Sequence, residues 1–327
     1  MEFLVLSQKD VEKLLTIELA YEADIEAYKA YSSKNAIQPP IVSIDIKKHN
    51  GELDIKSGYS GLNDIIGVKT LSGFWDNPKS YGLPVSLGTM SLYDGRTGAP
   101  LCVMDAGSLT YFRTSAAGAY AATLLARSNS TKLAVIGTGA LARMHLIATK
   151  RYFDIKTAYI YGIVEEQKRQ YIADMSKRFP DIELIDCDAN TAVSNADIVS
   201  TATPANKPVV MDAWVRPGTH INAFGCDMEG KQELEASIFA RAKVVVDNMT
   251  ECARRGETQH CIKQGLVKKE DIYAEIGELA LGEKPGRTNP DEITIFDSTG
   301  MSLQDISTAS RIYEQAKKLG IGTKVEI

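Results

Sequence analysis

The stretch "KLAVIGTGALARMHLIATK" (residues 132–150) runs from an apolar strand through a glycine-bearing turn into an amphipathic helix. Gly137 and Gly139 stand in the turn, with Ala142 where a third glycine is often found. Each small residue has a physical use there. Gly137 permits a tight turn. Gly139 lets backbone N–H groups approach a phosphate with no Cβ in the way. Ala142 allows close helix–strand packing, and the helix N-terminus favours an anion. A GxGxxA pattern alone recurs by chance, so its weight comes from its surroundings.

Those surroundings repeat a strand–helix rhythm. From residue 131 the chain reads "KLAVIG", "ALARMHLIATKRY", "TAYIYG", "EEQKRQYIADMSKRF", "IELID", "NTAVSNA", "DIVSTAT", "HINAFG" and "KVVVDN". Alternation of this kind predicts an α/β fold with a doubly wound parallel sheet. In that context the turn reads as a dinucleotide-binding loop. A chain that grips the NAD ribose carries an acid roughly 20 residues further on, and counting from Ala142 lands on Gly162. Ile163 follows, so the arginine that would hold a 2′-phosphate is missing too. Glu165 and Glu166 read as first-turn residues of the next helix, favoured there by its dipole. The residues leave NAD(H) and NADP(H) equally open.

The sequence before residue 131 has a different character. Ser7 and Asp10 resemble a capping pair before Val11, Leu14, Leu15, Ile17 and Leu19 at helical spacing. A second helical stretch is "EADIEAYKAYSSK". Pro39 and Pro40 then break helix, and "IVSIDI" and "ELDIKSGY" alternate as strands joined at Asn50-Gly51, a hairpin signal. Strand-like runs "IIGVKTLSGF" and "VSLGTMSLYDGRTGAPLCVMD" follow, giving an α+β region with an antiparallel or mixed sheet. An Ala-rich helix, "YFRTSAAGAYAATLLARS", leads into the quoted strand. The last helix, "LQDISTASRIYEQAKKLG", ends at Gly320 and follows "EITIFDSTGMS" without a linker, so it is expected to return to the first region. The expected domains are 1–118 plus 304–327, and 119–303.

Whole-chain properties narrow the function. A length of 327 residues suits two domains. The net charge of -5, with the signs interspersed, argues against a nucleic-acid partner. No apolar run reaches membrane-spanning length, so no membrane partner is expected. The opening "MEFLVLSQKDVEKLL" has no basic flank, and no signal peptide is expected. Five cysteines, at 102, 187, 226, 252 and 261, form no CxxC pair. An odd count without that spacing predicts neither disulfides nor zinc, and points to a reducing cytoplasm. The histidines are scattered; His145 and His220 read as structural residues, and no metal is expected.

Several motifs coincide in order along nearly the whole chain: "FRTSAAGAYAA", "VIGTGALAR", "INAFGCDMEGKQEL", "VVVDN" and "DSTGMSLQDIS". Together they resemble the ornithine cyclodeaminase/mu-crystallin family, which also includes archaeal-type alanine dehydrogenases and ketimine reductases. The resemblance implies a Rossmann domain plus an α+β catalytic domain that dimerises through a sheet. It implies hydride transfer between nicotinamide and the α-carbon of an amino or imino acid, a small-molecule substrate and a homodimer.

The resemblance also implies residue roles. Lys69 in "GVKTLSG" would lie near the substrate carboxylate and reacting nitrogen, and Arg113 in "FRTSAA" would pair with that carboxylate. Asp227 in "GCDMEGK" would be the catalytic acid/base and touch the cofactor. Thr299 and Gly300 in "DSTGMS" would lie beside the nicotinamide and substrate. Gly137, Thr138, Gly139, Ala140, Leu141 and Ala142 would hold the pyrophosphate. Thr201, Ala202 and Thr203, with Thr114 and Gly162, would complete the cofactor site. Taken singly, Lys69 reads as a strand-face lysine, Arg113 as a structural residue and Asp227 as a turn cap. Their common order gives them weight. Cys226, beside Asp227, reads as a small packing residue.

The chain departs from the family pattern in two places. "QPPIVSI" puts Ile41 where cyclodeaminases and alanine dehydrogenases usually carry an arginine, and Val85, beside Ser86, stands where cyclodeaminases carry a threonine. Lys56 in "GELDIKSGY" is the candidate replacement cation, set against a solvated strand-face reading. The pattern "QPP…DIK…VKTLSGFWDNP…GLP" resembles the branch with ectoine-utilisation proteins and iminosuccinate reductases. The implied activity is an NAD(P)-dependent imino-acid reductase or amino-acid dehydrogenase. The alternatives are an ornithine cyclodeaminase that recycles bound NAD, and a non-catalytic NADPH or small-ligand binder like mu-crystallin.

Overall fold

A computed structural model describes residues 2–326. The chain divides into two compact units, 1–113 with 301–327, and 114–300.

The first unit is built on a mixed sheet. Its strands lie in the order Thr323–Glu326, Glu2–Leu6, Pro100–Asp105, Ser86–Asp94, Ile65–Phe74, Gly51–Ser60 and Ala36–Ile37. Val42–Ile46 pairs with the other half of Gly51–Ser60. Only the pairing of Glu2–Leu6 with Pro100–Asp105 is parallel. The Ser7/Asp10 capping pair forms: Ser7 N–H donates to Asp10 Oδ2 at 2.9 Å and Asp10 N–H to Ser7 Oγ at 3.3 Å. It opens the helix Gln8–Leu14, and Thr16 caps the helix Ile17–Ser32.

The hairpin at Asn50-Gly51 forms, but by a different turn. A short 3-10 segment, Lys47–His49, leads into Asn50 at φ 45°. Asparagine tolerates that left-handed conformation. Gly51 is required instead by packing, since a Cβ there would lie 2.3 Å from the Phe74 ring.

The last helix, Ser302–Leu319, ends at Gly320 in the left-handed conformation, as expected. It packs on the helix Ile17–Ser32 and on the Gly51–Ser60 and Ile65–Phe74 strands. Two glycines set that approach. Gly58 and Gly67 face each other across the strand pair. A Cβ on Gly67 would lie 2.4 Å from Ile306, and one on Gly58 would lie 2.7 Å from Ser302 Oγ. The next pair along this helix-covered face is Lys56 opposite Lys69. The other face presents Val42, Ile44 and Leu87, which are 56%, 48% and 41% exposed.

The second unit is the doubly wound parallel sheet. Its strand order is Glu183–Asp186, Thr157–Tyr161, Lys132–Ile136, Ile198–Thr201, His220–Ala223, Ile293–Asp297, Ala242–Val246 and Ala274–Glu275, with every pairing parallel. The strands are apolar at successive positions because both faces are covered. Leu133 and Val135 feed one core, with Leu146 and Tyr171; Ala134 and Ile136 feed the other, with Val193 and Phe239. Successive strands are added on one side of Lys132–Ile136 and then, from Ile198–Thr201, on its other side, so the switch-point crevice opens at the carboxyl ends of these two parallel strands. A 19-residue helix, Gly107–Leu125, contains the boundary between the two units at Arg113/Thr114. Among the described residues, no helix is long and apolar enough to cross a membrane.

Candidate active site

In the first unit three elements bring three charged side chains together. Lys69 projects from the Ile65–Phe74 strand, Arg113 from the Gly107–Leu125 helix, and Asp305 from the first turn of Ser302–Leu319. Both Asp305 oxygens lie 2.8 Å from Lys69 Nζ, and Arg113 Nε donates to Oδ1 at 3.0 Å. Lys69 and Asp305 are 2% and 1% exposed at their side chains, so water screens this pairing very little. Lys69 also donates to Thr110 Oγ1 at 3.2 Å. Lys56, in register beside Lys69, is buried as well, which removes the solvated-face reading.

Arg113, Lys69 and Lys56 all act on the carboxylate of Asp305. The neighbouring Asp24 is pushed well above the usual carboxylate range by burial, against the pull of Arg113. Burial draws Lys69 down to about 7. Asp305 opposes that fall, while Arg113 and Lys56 add to it. Asp305 feels the same burial but is held below its ordinary value by Arg113, Lys69 and Lys56. Arg113 engages Asp305 through Nε, which leaves its two Nη groups for a planar anion. The arrangement is a buried cationic cluster with one lysine near its proton-loss point at neutral pH, chemistry suited to a carboxylate ligand.

In the second unit the remaining candidates gather at the carboxyl ends of the parallel strands. Gly137 and Gly139 follow Lys132–Ile136, and Ala140 begins the helix Ala140–Tyr152 with Leu141 and Ala142 in its first turn. Gly137 has φ 123° and approaches the Ala202 carbonyl, so its glycine is required by the fold. Gly139 differs. Its φ of -75° suits any residue, and a Cβ there would meet nothing within 4 Å. The protein's own packing does not need that glycine; a ligand seated on the helix N-terminus would. Ala142 is buried, and its carbonyl accepts from Tyr171 at 3.3 Å.

Gly162 follows the Thr157–Tyr161 strand, and its missing Cβ leaves room for Thr138, 2.6 Å away. Glu165 and Glu166 open the helix Glu165–Arg178 as expected. Thr114 sits on the Gly107–Leu125 helix rather than at a strand end. Of Gly137, Gly139 and Gly162, Gly139 is the one beside open space, at the start of the Ala140–Tyr152 helix.

Asp227 lies just beyond the His220–Ala223 strand, with its side chain 42% exposed and bonded to Lys231 at 2.8 Å. Its carbonyl accepts from Arg255 Nε, so the backbone is anchored while the carboxylate faces outward. Cys226 is buried, donates toward the Lys231 and Arg255 carbonyls, and has its thiol pushed far up by burial, which fits a packing residue. His145 and His220 are both buried, and burial draws both down to about 3. His145 stacks on Phe224 at 4.7 Å, and His220 bridges Thr294 and Asn222.

Sequence reasoning missed the acids that hold these loops. Glu233 accepts from Thr201 Oγ1, from the backbone and hydroxyl of Thr203, and from Gly225 N–H, at 2.5 to 2.7 Å. Glu257 accepts from the Glu233 and Leu234 backbone. Asp297 accepts from Glu257 and Thr258, and Asp247 from Ser298 Oγ and Gly300 N–H, both at 2.7 Å. Thr201, Thr203, Gly225 and Gly300 are therefore fixed by buried carboxylates. The acids in "VVVDN" and "IFDSTG", each at the end of an apolar strand, were the available signal for Asp247 and Asp297. Asp305 was missed too, because a first-turn acid ordinarily reads as a cap.

The ornithine cyclodeaminase/mu-crystallin family matches residues 1–320. Among solved structures, the chain is similar to an archaeal alanine dehydrogenase dimer with bound NAD, at 38% identity and a TM-score of 0.94, covering 100% of both chains. It is similar to a Δ1-pyrroline-2-carboxylate reductase from Thermococcus litoralis in complex with NADH and L-proline, at 34% identity, TM-score 0.94, covering 99% of this chain and 100% of the other. It is similar also to the iminosuccinate reductase of Paracoccus denitrificans in complex with NAD+, at 29% identity, TM-score 0.93, covering 100% of both.

Proposed function

The chain belongs to the ornithine cyclodeaminase/mu-crystallin family and is an NAD(P)-dependent oxidoreductase, and we propose that it reduces a carboxylate-bearing imine to an amino acid or runs the reverse. The observation that carries this reading is the buried cluster of Lys69 and Arg113 on Asp305, in which Arg113 meets its carboxylate through Nε and keeps its outer fork for another anion. A buried guanidinium in that pose suits a planar carboxylate ligand.

In this reading the Nη groups of Arg113 grip the substrate carboxylate in the plane of its two oxygens. Lys69 lies beside it and offsets charge at the reacting end. Asp227, half-buried and paired with Lys231, exchanges the proton at the substrate nitrogen. The turn Gly137–Ala142 seats the pyrophosphate, and the Thr201–Thr203 and Thr299–Gly300 loops border the rest of the cofactor. The bound cofactor supplies the hydride.

Lys56 adds a second cationic contact, which favours a substrate with more than one acid group. NADH is the preferred cofactor in this reading. Near the end of the Thr157–Tyr161 strand, Lys168 already pairs with Glu165 and Asp186, and Arg169 with Glu166, leaving those cations committed. The uncovered sheet face bearing Val42, Ile44 and Leu87 supports a homodimer. Five free thiols suit a cytoplasmic setting.

The test is a screen of NADH and NADPH oxidation with ammonia plus oxaloacetate, pyruvate or glyoxylate, alongside cyclic ketimines. Stoichiometric NADH consumption with at least one carboxylate-bearing imine is expected, and NADPH is expected to serve less well. Ornithine converted without net absorbance change would replace this reading with a cyclodeaminase. Inertness toward the whole panel would end it.

A further inference from the structure

Among the described residues, Asp305 is the one carboxylate seen to touch both Lys69 and Arg113. Its partners come from a central strand and from a helix 192 residues earlier in the chain. It stands in the first turn of Ser302–Leu319, where the helix dipole favours a negative charge. The turn itself is tied down. Gln304 caps the Met301 N–H at 2.9 Å, and its amide donates to Asp24 and Tyr28 on the helix Ile17–Ser32. Gly58 and Gly67 bring the turn close to the sheet, so the carboxylate reaches Lys69 rather than solvent. Asp305 occupies Nε of Arg113 and leaves the outer fork unspent. Without it, Lys56, Lys69 and Arg113 would repel one another in a site that excludes water.

We propose that Asp305 is a positioning residue. It clamps Lys69 and Arg113 at fixed separation, holds the lysine in its charged form, and so pre-organises the pair as a receptor for the substrate carboxylate. This rests on the imino-acid reading above. Asp305 touches no reacting atom in that scheme; it acts through its two cations.

The experiment measures pyruvate binding by calorimetry, with NADH present and ammonia omitted, between pH 6 and 9, for the wild type and Asp305→Asn. Pyruvate keeps one charge across this range, so any pH dependence belongs to the protein. Lys69 binds the anion when protonated, so affinity falls as pH rises through its ionisation. The isosteric amide removes the negative charge that supports that proton. Asp305→Asn is expected to weaken pyruvate binding by about tenfold or more and to move the fall in affinity about one pH unit lower. NADH affinity should stay unchanged.

Equal affinity and an unmoved pH profile in Asp305→Asn would overturn the proposal and leave the functional reading standing. Failure of the wild type to bind pyruvate would overturn both. Should Asp305→Asn not fold, Asp305→Glu keeps the charge but displaces it, and is expected to weaken binding with little shift of the pH profile. Misfolding of both variants while Lys69→Arg and Arg113→Lys fold would assign Asp305 to stability alone and overturn the proposal.

Discussion

Two glycines two positions apart in the same turn do different work, and substitution separates them. Gly137 combines φ 123° with a carbonyl 2.6 Å from any added Cβ. Gly137→Ala is expected to cost about 2–4 kcal/mol of stability, by backbone strain and overpacking. Gly139 has ordinary angles and open space. Gly139→Ala is expected to cost the fold at most about 1 kcal/mol, since only its place at the helix start is disturbed. It should nonetheless weaken NADH binding about tenfold or more, a loss of about 1.4 kcal/mol. Chemical denaturation and a fluorescence titration of NADH read the two effects. Unchanged NADH affinity in Gly139→Ala would show that the open space is no phosphate seat. Lys69, Arg113 and both glycines could be picked out from sequence because each sits in a short motif. Asp305 and Glu233 also lie inside quoted motifs, yet neither could be given a role, because the Lys69 partner of Asp305 lies 236 residues away and an acid that accepts from backbone leaves no spacing pattern. Glu257 lies outside those motifs and was hidden for the second reason.

At the scale of the element, the Ser302–Leu319 helix depends on what the sheet omits beneath it. Gly67 leaves the space that Ile306 and Met90 fill, at 2.4 and 2.6 Å from a notional Cβ. Gly67→Ala is expected to cost about 1–3 kcal/mol. Adding Ile306→Ala should return part of that loss, because the two changes share one space. Urea midpoints of the single and double variants check this, and strict additivity would contradict it. The helix was legible from its apolar spacing and its terminal glycine. Its landing place was not, since strand glycines read only as weak points until a partner is known. The hairpin shows a similar limit. Asn50-Gly51 marked the turn, yet the chain uses a 3-10 segment before Asn50, and the glycine answers to Phe74.

At the scale of the whole molecule, the alternation of strands and helices made the parallel sheet legible, but not its full order. Ile293–Asp297 enters between His220–Ala223 and Ala242–Val246, although it follows both in sequence. Likewise Glu2–Leu6 pairs in parallel with Pro100–Asp105, which local alternation cannot reveal. The exposed face of the first sheet carries a further expectation. If Val42 and Ile44 are covered by a second copy of the chain, the double variant Val42→Asp, Ile44→Asp should sediment as a monomer where the wild type sediments as a dimer. A charged pair on that face would be desolvated on association and left unpaired. Identical sedimentation of both proteins would remove this face from the interface.

The helix Gly107–Leu125 passes from one unit to the other without a break, and Arg113 and Thr114 are consecutive residues within it. A cut at that joint would strand hydrogen-bonding groups on both new ends of the helix. The nucleotide half is therefore no cassette. Anyone grafting it onto another scaffold, or exchanging it between relatives, must carry the helix whole and splice outside it.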